Sequence, residues 1–500
     1  METGTSGKSG IDWRITAALM AAAAVVYSAH LRSPFDSSEA YTVLAASQSH
    51  PLAVTRVAMR YDPGKPPLYP LLLHFISSWP GGSELSLRLP SVISSLLTLP
   101  LIIVLGAETF VPSVGLAAAG IWAFNLMTVT FAAWARNYAL LGMLTTAQFL
   151  LLWRLRTHPK RSSVLACGIL GGAVLYTHLC GVLFLAAESA MLTRESWRGQ
   201  SRRGAWAAMF ISAILFLPFL PIASSQIREL IAGHWVDWIG TAGPSSIPRQ
   251  AAVLLVLSII SAVLVLGPPW EKDEREPLRW CLAVALFPML LLVAGSIAVR
   301  PMFAPRYLWP SLIVLTLVAA RLLASLSVSH FRLAVTAIIG LQAFLCPAYA
   351  RYVPWQDIAR TISEGSPNEP VFFEPLFTDS RNPLADNGQG FPLGFLRVPF
   401  DHYFAGPNPR LVVDPSKPVE ARRTIAQAAL RANGAWLVTA YERLARVELP
   451  RTCFRTEERI QSQDGSLIHV IPLPEDSCRP ASDPPAPDLM VKFHQYASPR

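Results

Sequence analysis

Long apolar runs alternate with short polar loops through roughly the first 350 positions of the chain. A run of about 20 apolar residues is enough to cross a hydrocarbon core of about 30 Å. The pattern predicts spans over about 13–30, 89–106, 114–131, 138–153, 205–222, 251–267, 281–299, 308–326 and 333–349. The stretch 164–192 is apolar throughout, but basic loops flank it, Arg154–Arg161 before and Thr193–Gly204 after. Basic loops collect on the cytoplasmic side, so an even number of crossings must separate these two. Two short spans meeting near Thr177 and His178 at the outer face satisfy that. The same alternation puts the loop Ala107–Pro112 inside, although it holds no Lys or Arg. The segment Pro67–Trp79, which carries His74, is too short to cross and reads as a helix lying at the outer interface. About eleven spans result, with the N-terminus inside and the C-terminus outside.

From about residue 351 the pattern changes. Helix-like runs at Pro354–Glu364 and Val419–Ala432 alternate with the strand-like VFFEPLF, AWLVTAY and IHVIPLP. Such alternation predicts a small α/β domain. Residues from about Arg479 read as disordered. The expected architecture is an all-α polytopic membrane protein over 1–350 with an extracytoplasmic α/β domain over 351–500, in the inner (plasma) membrane.

Composition agrees: the 500 residues are 52% hydrophobic and 15% charged, too apolar for one soluble core. The net charge of +9 sits in short loops, as topology demands, and gives no reason to expect nucleic acid. The first span lacks a clean small-residue cleavage site and reads as an anchor. Cys167, Cys180, Cys281 and Cys346 fall in apolar runs. Cys453 and Cys478 lie in the polar tail, where they either pair or stay as two thiols. No Cys/His spacing suggests zinc.

Candidate chemistry gathers in the first outer loop, about 31–87. Asp36 and Glu39 follow the first span, and helical spacing puts both carboxylates on one face. The plainer reading of the same residues is a helix start with Asp36 or Ser37 as N-cap. Lys65 precedes Pro66 and Pro67. Arg56, Arg60, Lys65, Arg136, Arg300 and Arg306 all fall in outer turns, against the usual bias. Headgroup snorkelling explains such residues singly. Together they form a cationic rim suited to phosphate, because guanidinium forks match phosphate oxygens.

PPLYPLLLHFISSW, ELSLRLPSVISSLL, ARNYALL, LYTHLCGVLFLAAE and APRYLWPSL, in that order, resemble the membrane glycosyltransferases of the GT-C class. Within it the chain resembles the family of protein O-mannosyltransferases and lipid A aminoarabinose transferases, and there the rhizobial lipopolysaccharide galacturonosyltransferase branch. The resemblance covers about 10–350. It implies a GT-C fold, a polyprenyl-phosphate sugar donor, a hydroxyl acceptor (an envelope glycan, lipid or protein) and inverting transfer at the outer leaflet, with an acidic general base. Glu39 matches the Glu of the family's Asp-Glu pair; Ser38 stands at its Asp, and Asp36 lies slightly early. Lys65 matches the family's Lys or His before Pro-Pro and would bind the donor phosphate, as would Arg136, Arg306 and Tyr307. Tyr138, His178 and Arg300 would line the substrate pocket. Where the family often has Gln-Glu before Ala-Arg, this chain has Ala133-Trp134. With no acid in that second outer loop, the expectation is a reaction without a metal or other cofactor. It also keeps an inactive, lipid-binding scaffold as an alternative. A transporter of lipid-linked saccharide would show internal repeats and midplane polar residues, and neither is evident.

Overall fold

The protein is described from a computed structural model. The structure describes residues 10–29, 31, 33–62, 64–77, 84–193, 198–232, 272–299, 304–345, 353–374, 392–413, 417–439, 449, 453–462 and 465–474. Contacts divide the chain into two units, residues 1–32 with 45–350 and residues 33–44 with 351–500.

In the first unit, α1 (Trp13–Ser28) leads to α3 (Pro51–Tyr61) and α4 (Leu68–Ser77). Then come α5 (Glu84–Thr109), α6 (Pro112–Ala123), α7 (Leu126–Ala132) and α8 (Tyr138–Leu155). The series continues with α9 (Arg161–Thr177), α10 (Gly181–Met191), α11 (Gly199–Phe216), α12 (Leu220–Ala232), α13 (Lys272–Ala298), α14 (Trp309–Leu323) and α15 (Val328–Leu345). α2 (Ser37–Ala46) runs from the second unit into the first. Among the described residues six helices are long and apolar enough to cross a membrane, and α6 with α7 forms one bent pair. α1, α9 and α10 are shorter apolar helices. The span expected at 251–267 lies outside the described residues, and the figure of eleven rests on the sequence alone.

The stretch expected as one span over 114–131 is instead α6 and α7, bent by 67°. Asn125 causes the break: its side chain accepts the Met127 N–H at 2.9 Å and starts a second helix. The apolar stretch 164–192 breaks where expected, with α9 ending at Thr177 and α10 beginning at Gly181. α5 and α6 approach closely: a Cβ on Gly106 would sit 2.4 Å from the Gly115 Cα.

The first unit has two distinct ends. At one, Glu108 accepts from Arg154 Nε at 2.9 Å, Arg156 pairs with Glu276 at 3.3 Å, and Ser201 donates to the Arg156 carbonyl at 2.8 Å. The Lys/Arg-free loop 107–112 is thus tied to the basic loop after α8, at the same end of the unit. Tyr138, at the other end of α8, lies roughly 25 Å away along the axis. There the candidate site forms.

Among the described residues the second unit holds a five-stranded sheet in the order β2-β1-β3-β5-β4, with β1 (Val371–Glu374), β2 (Arg410–Val412), β3 (Ala435–Thr439), β4 (Phe454–Ile460) and β5 (Ser466–Pro472). β1 is parallel to β2 and β3, and β5 is antiparallel to β3 and β4. β1 and β3 are buried on both faces, as central parallel strands require. α16 (Trp355–Ser363) and α17 (Pro392–Tyr403) cover the face bearing Phe373, Trp436 and Val438. α18 (Pro418–Ala432) covers the face bearing Phe372 and Leu437. Residues 33–44 join this unit: the Phe35 N–H donates to the Tyr403 hydroxyl at 2.7 Å, and the Phe35 ring meets His402 edge-on. Cys453 is disulfide-bonded; Cys478, the other tail cysteine, lies outside the described residues.

Candidate functional site

The site is built around a turn that the sequence reading passed over. Asp62-Pro63-Gly64-Lys65 places Pro-Gly at the centre of a four-residue turn, closed by the Lys65 N–H donating to the Asp62 carbonyl at 3.2 Å. Gly64 has φ of 85°, a left-handed value that glycine adopts without strain. The turn brings its two ends together, so Lys65 Nζ donates to Asp62 Oδ1 at 2.7 Å. The other carboxylate oxygen, Asp62 Oδ2, pairs with Arg136 Nη1 at 2.6 Å. Asp62 therefore clamps two of the expected cations, one on each oxygen.

Arg136 is buried and held through its backbone. The Arg136 N–H donates to the Trp134 carbonyl at 2.7 Å. Ser91 Oγ, on α5, donates to that same carbonyl at 2.7 Å and stands 2.6 Å from the Tyr69 hydroxyl of α4. Tyr69 and Ser91 are both fully buried. This short hydroxyl relay fixes the turn carrying Arg136 against the helix that follows Lys65. On the apolar side, Phe131, Trp134 and Tyr138 form a parallel stack, their planes within 13° to 22° of one another. Arg136 lies over the Trp134 ring, and Lys65 Nζ stands 5.9 Å from the Tyr138 ring centroid.

His178 and Tyr307 complete the arrangement. The His178 ring contacts Tyr138 at 5.9 Å and Tyr307 at 5.3 Å between centroids, and the Arg306 guanidinium lies 5.6 Å from the Tyr307 ring. The Cys180 N–H donates to His178 Nδ1 at 3.0 Å, which leaves the proton of the neutral ring on Nε2. Burial pushes the His178 imidazole down to about 3, with Arg306 and Arg136 acting in the same direction, so it stays neutral. Its Nε2, the Tyr138 hydroxyl and Asn137 Oδ1 are buried without a protein partner. Burial pushes the Asp62 carboxyl up, and Arg136 and Arg306 oppose it. Burial likewise drives the Cys180 thiol up to about 12, so it is a neutral thiol here.

Lys65, Arg136, Tyr138, His178, Arg306 and Tyr307 thus gather at one end of the first unit. Arg300 lies outside the described residues. Asp36 and Glu39 belong to the second unit, and there they form a reciprocal cap. The Glu39 N–H donates to Asp36 Oδ1 at 2.7 Å, and the Asp36 N–H donates to Glu39 Oε2 at 3.0 Å. Both are buried. The N-cap reading of Asp36 therefore holds, and the pair lies on one turn of α2 as the spacing required. Among the described residues no group of three His, Cys, Asp or Glu is placed to hold a metal ion.

Residues 64–222 match the family model described as dolichyl-phosphate-mannose-protein mannosyltransferase. The structure is similar to that of ArnT from Cupriavidus metallidurans in the apo state, with a TM-score of 0.56 and 14% identity over 91% of this chain and 97% of that one. It is similar to the same protein bound to undecaprenyl phosphate, with a TM-score of 0.54 and 14% identity over the same shares. An oligosaccharyltransferase from Archaeoglobus fulgidus aligns with a TM-score of 0.48 and 13% identity over 84% of this chain and 68% of that one. No curated protein matches the chain by sequence. The fold is that of the GT-C class of membrane glycosyltransferases.

Proposed function

We propose that the chain is a membrane glycosyltransferase that moves a sugar from a polyprenyl-phosphate donor to a hydroxyl acceptor, with inversion, at the outer face of the cytoplasmic membrane. The observation that carries this is the cluster of Lys65, Arg136 and Arg306 around Asp62, at the end of the helix bundle away from the basic loops. The matched mannosyltransferase family model supports it. So does the likeness to ArnT, which has been solved with undecaprenyl phosphate.

In the reaction the acceptor oxygen attacks the anomeric carbon as its proton passes to a carboxylate. The bond from the anomeric carbon to the phosphate oxygen breaks, and that oxygen keeps the electron pair. The donor phosphodiester carries one negative charge, and the phosphate that departs carries two. Three cations and Asp62 sum to two positive charges among the described site residues, which matches the departing phosphate better than the intact donor. Interactions that strengthen as charge develops are the ones that accelerate a reaction. Lys65, Arg136 and Arg306 supply that stabilisation, and Tyr307 orients Arg306. With this charge already in place, the reaction proceeds without a metal. Tyr138 and the neutral Nε2–H of His178, both lacking protein partners, offer hydrogen bonds to sugar hydroxyls, and Arg300 adds a further contact to the sugar.

The general base is Glu39, with Asp36 as its alternate, on the family resemblance. Asp62 serves differently, since each of its oxygens is engaged by a cation. It also supplies an acid to the cluster of a chain that has Trp134 in the second outer loop. The disulfide at Cys453 fits an extracytoplasmic second unit.

The test is transfer by the purified protein from polyprenyl-phosphate sugars, with Glu39→Gln, Asp36→Asn and the double variant beside the wild type. Transfer by the wild type and its loss in the Glu39 variant is the expected result. Wild-type rates in all three variants would remove the base assignment. A wild type that binds donor and transfers nothing to any acceptor, with or without divalent cations, would favour a lipid-binding scaffold.

A further inference from the structure

The turn that carries Asp62 and Lys65 is held from a helix far along the chain. Gln226, on α12, is 3% exposed, and its amide is spent on that turn from both ends. Its Oε1 accepts the Gly64 N–H at 3.3 Å. Its Nε2 donates to the Met59 carbonyl at 3.1 Å and points to the Met59 sulfur at 3.8 Å.

Both backbone groups need an outside partner. Met59 lies in the last turn of α3, and its carbonyl would ordinarily accept from the amide four residues on. That residue is Pro63, which has no N–H. The carbonyl would be an orphan at the helix end. Gly64 sits in the left-handed conformation inside a turn whose closing bond is donated by the Lys65 N–H, not by its own. Its carbonyl is also tied, accepting the Leu179 N–H at 3.1 Å, beside His178. Gln226 therefore grips one peptide group on each side of Asp62, at Met59 and at Gly64. A buried amide with no such task would be costly where Gln226 lies.

We propose that Gln226 is a positioning residue for the cation site: by bridging the Met59 carbonyl and the Gly64 amide it fixes the turn on which Asp62 and Lys65 meet. This rests on the reading of that cluster as the donor-phosphate site. Gln226 lies beyond the stretch that matches the family model, residues 64–222, so nothing in that match assigns it.

The experiment uses the full-length protein in detergent with Gln226→Met, which keeps the length and removes both hydrogen bonds, and Gln226→Glu, which keeps an acceptor for Gly64 and loses the donor. Lys65 is acylated with a water-soluble amine reagent and read by mass spectrometry against the exposed Lys160 of the opposite end as internal reference. Release of the turn frees Lys65 from Asp62. The Lys65-to-Lys160 labelling ratio then rises about fivefold in Gln226→Met, as the loss of buried hydrogen bonds implies, and less in Gln226→Glu. The unfolding temperature moves little in either. In the transfer assay KM for the donor rises and KM for the acceptor does not. An unchanged Lys65 ratio in Gln226→Met overturns the proposal. So does unfolding of both variants, which would make Gln226 a residue of the fold and not of the site. A wild type without transfer activity would sink the functional reading alone, because the labelling ratio would still decide the role of Gln226.

Discussion

Asp36 and Glu39 are separated by two serines; Asp62 and Lys65 are separated by proline and glycine. The spacing is the same and the outcome differs. Ser37 and Ser38 continue into a helix, so each acid of the first pair turns back to cap the other's backbone N–H. In the second pair the helix ends at Tyr61 and the Lys65 N–H closes a turn on the Asp62 carbonyl, so the ends meet through their charged tips. A carboxylate spent on backbone amides fixes a helix start. A carboxylate spent on a lysine and an arginine fixes two cations. The residues between the charged positions, more than the spacing, decide which role follows.

The sharpest way to break this comparison is at Glu39. Gln can replace Glu in a reciprocal cap, so Glu39→Gln should leave the unfolding temperature within about a degree or two of wild type, a shift well below 1 kcal/mol. If Glu39 also accepts the acceptor's proton, transfer should fall by about 10²- to 10⁴-fold. Full activity with an intact fold would confine Glu39 to capping.

Next in size is Asp62→Asn, which keeps the shape and removes the charge. Lys65 and Arg136 then each lose the carboxylate oxygen they are paired with. Removing one partner of a desolvated pair costs about 2–5 kcal/mol, and the partial exposure of Asp62, 21% at its side chain, points to the low end. An effect of about 2.7 kcal/mol corresponds to a 10²-fold loss in kcat/KM for the donor. The cap residues should respond differently: Asp36→Asn leaves donor binding unchanged. Equal donor affinity in wild type and Asp62→Asn, measured by titration with polyprenyl phosphate, would contradict the clamp.

These contrasts also show what was legible. Lys65, Arg136 and Arg306 stood out in the sequence because cations at the outer ends of spans run against the usual charge bias. The alternation of loops put Ala107–Pro112 at the same end as the basic loop after α8 without a single basic residue, and the Glu108–Arg154 pair joins the two. Asp62 was missed although D-P-G-K is a turn signature with a mechanism; a search for acids near a span exit stops at Asp36 and Glu39. The bend at Asn125 was hidden because one polar residue within an apolar run scarcely lowers its hydropathy, while a single side-chain cap is enough to start a new helix. That residues 33–44 pack with the C-terminal unit depends on Tyr403, 368 positions away from Phe35, which no local pattern could carry.

A smaller effect probes the turn itself. Gly64→Ala asks an L-residue to hold φ of 85°, at a cost of about 1–2 kcal/mol. The turn would relax and Lys65 would leave Asp62, raising KM for the donor by roughly tenfold if that strain is released by opening the turn. The cap has no such residue, so Ser37→Ala and Ser38→Ala should leave donor KM alone. A Gly64→Ala protein with wild-type donor KM would show that the Pro-Gly pair is not what sets the site.

The last effect is one on stability alone and concerns His178, the neutral member of a charged cluster. Its ordinary value of 6.5 falls to about 3 in the folded protein, chiefly through burial. Between those values the unfolded chain binds a proton that the folded chain does not. Stability therefore rises with pH across this window and is lost as pH falls from about 6.5 towards 3. From pH 7 to pH 5 the contribution is at most about 2 kcal/mol. His178→Gln cannot take up that proton in either state, so its unfolding temperature should drop less than that of the wild type between pH 7 and pH 5. The carboxylates titrate alike in both proteins and cancel in the difference. Equal drops in the two would mean that the folded site protonates His178 readily, and the imidazole would then act as a fourth cation beside Arg306 in place of a neutral donor.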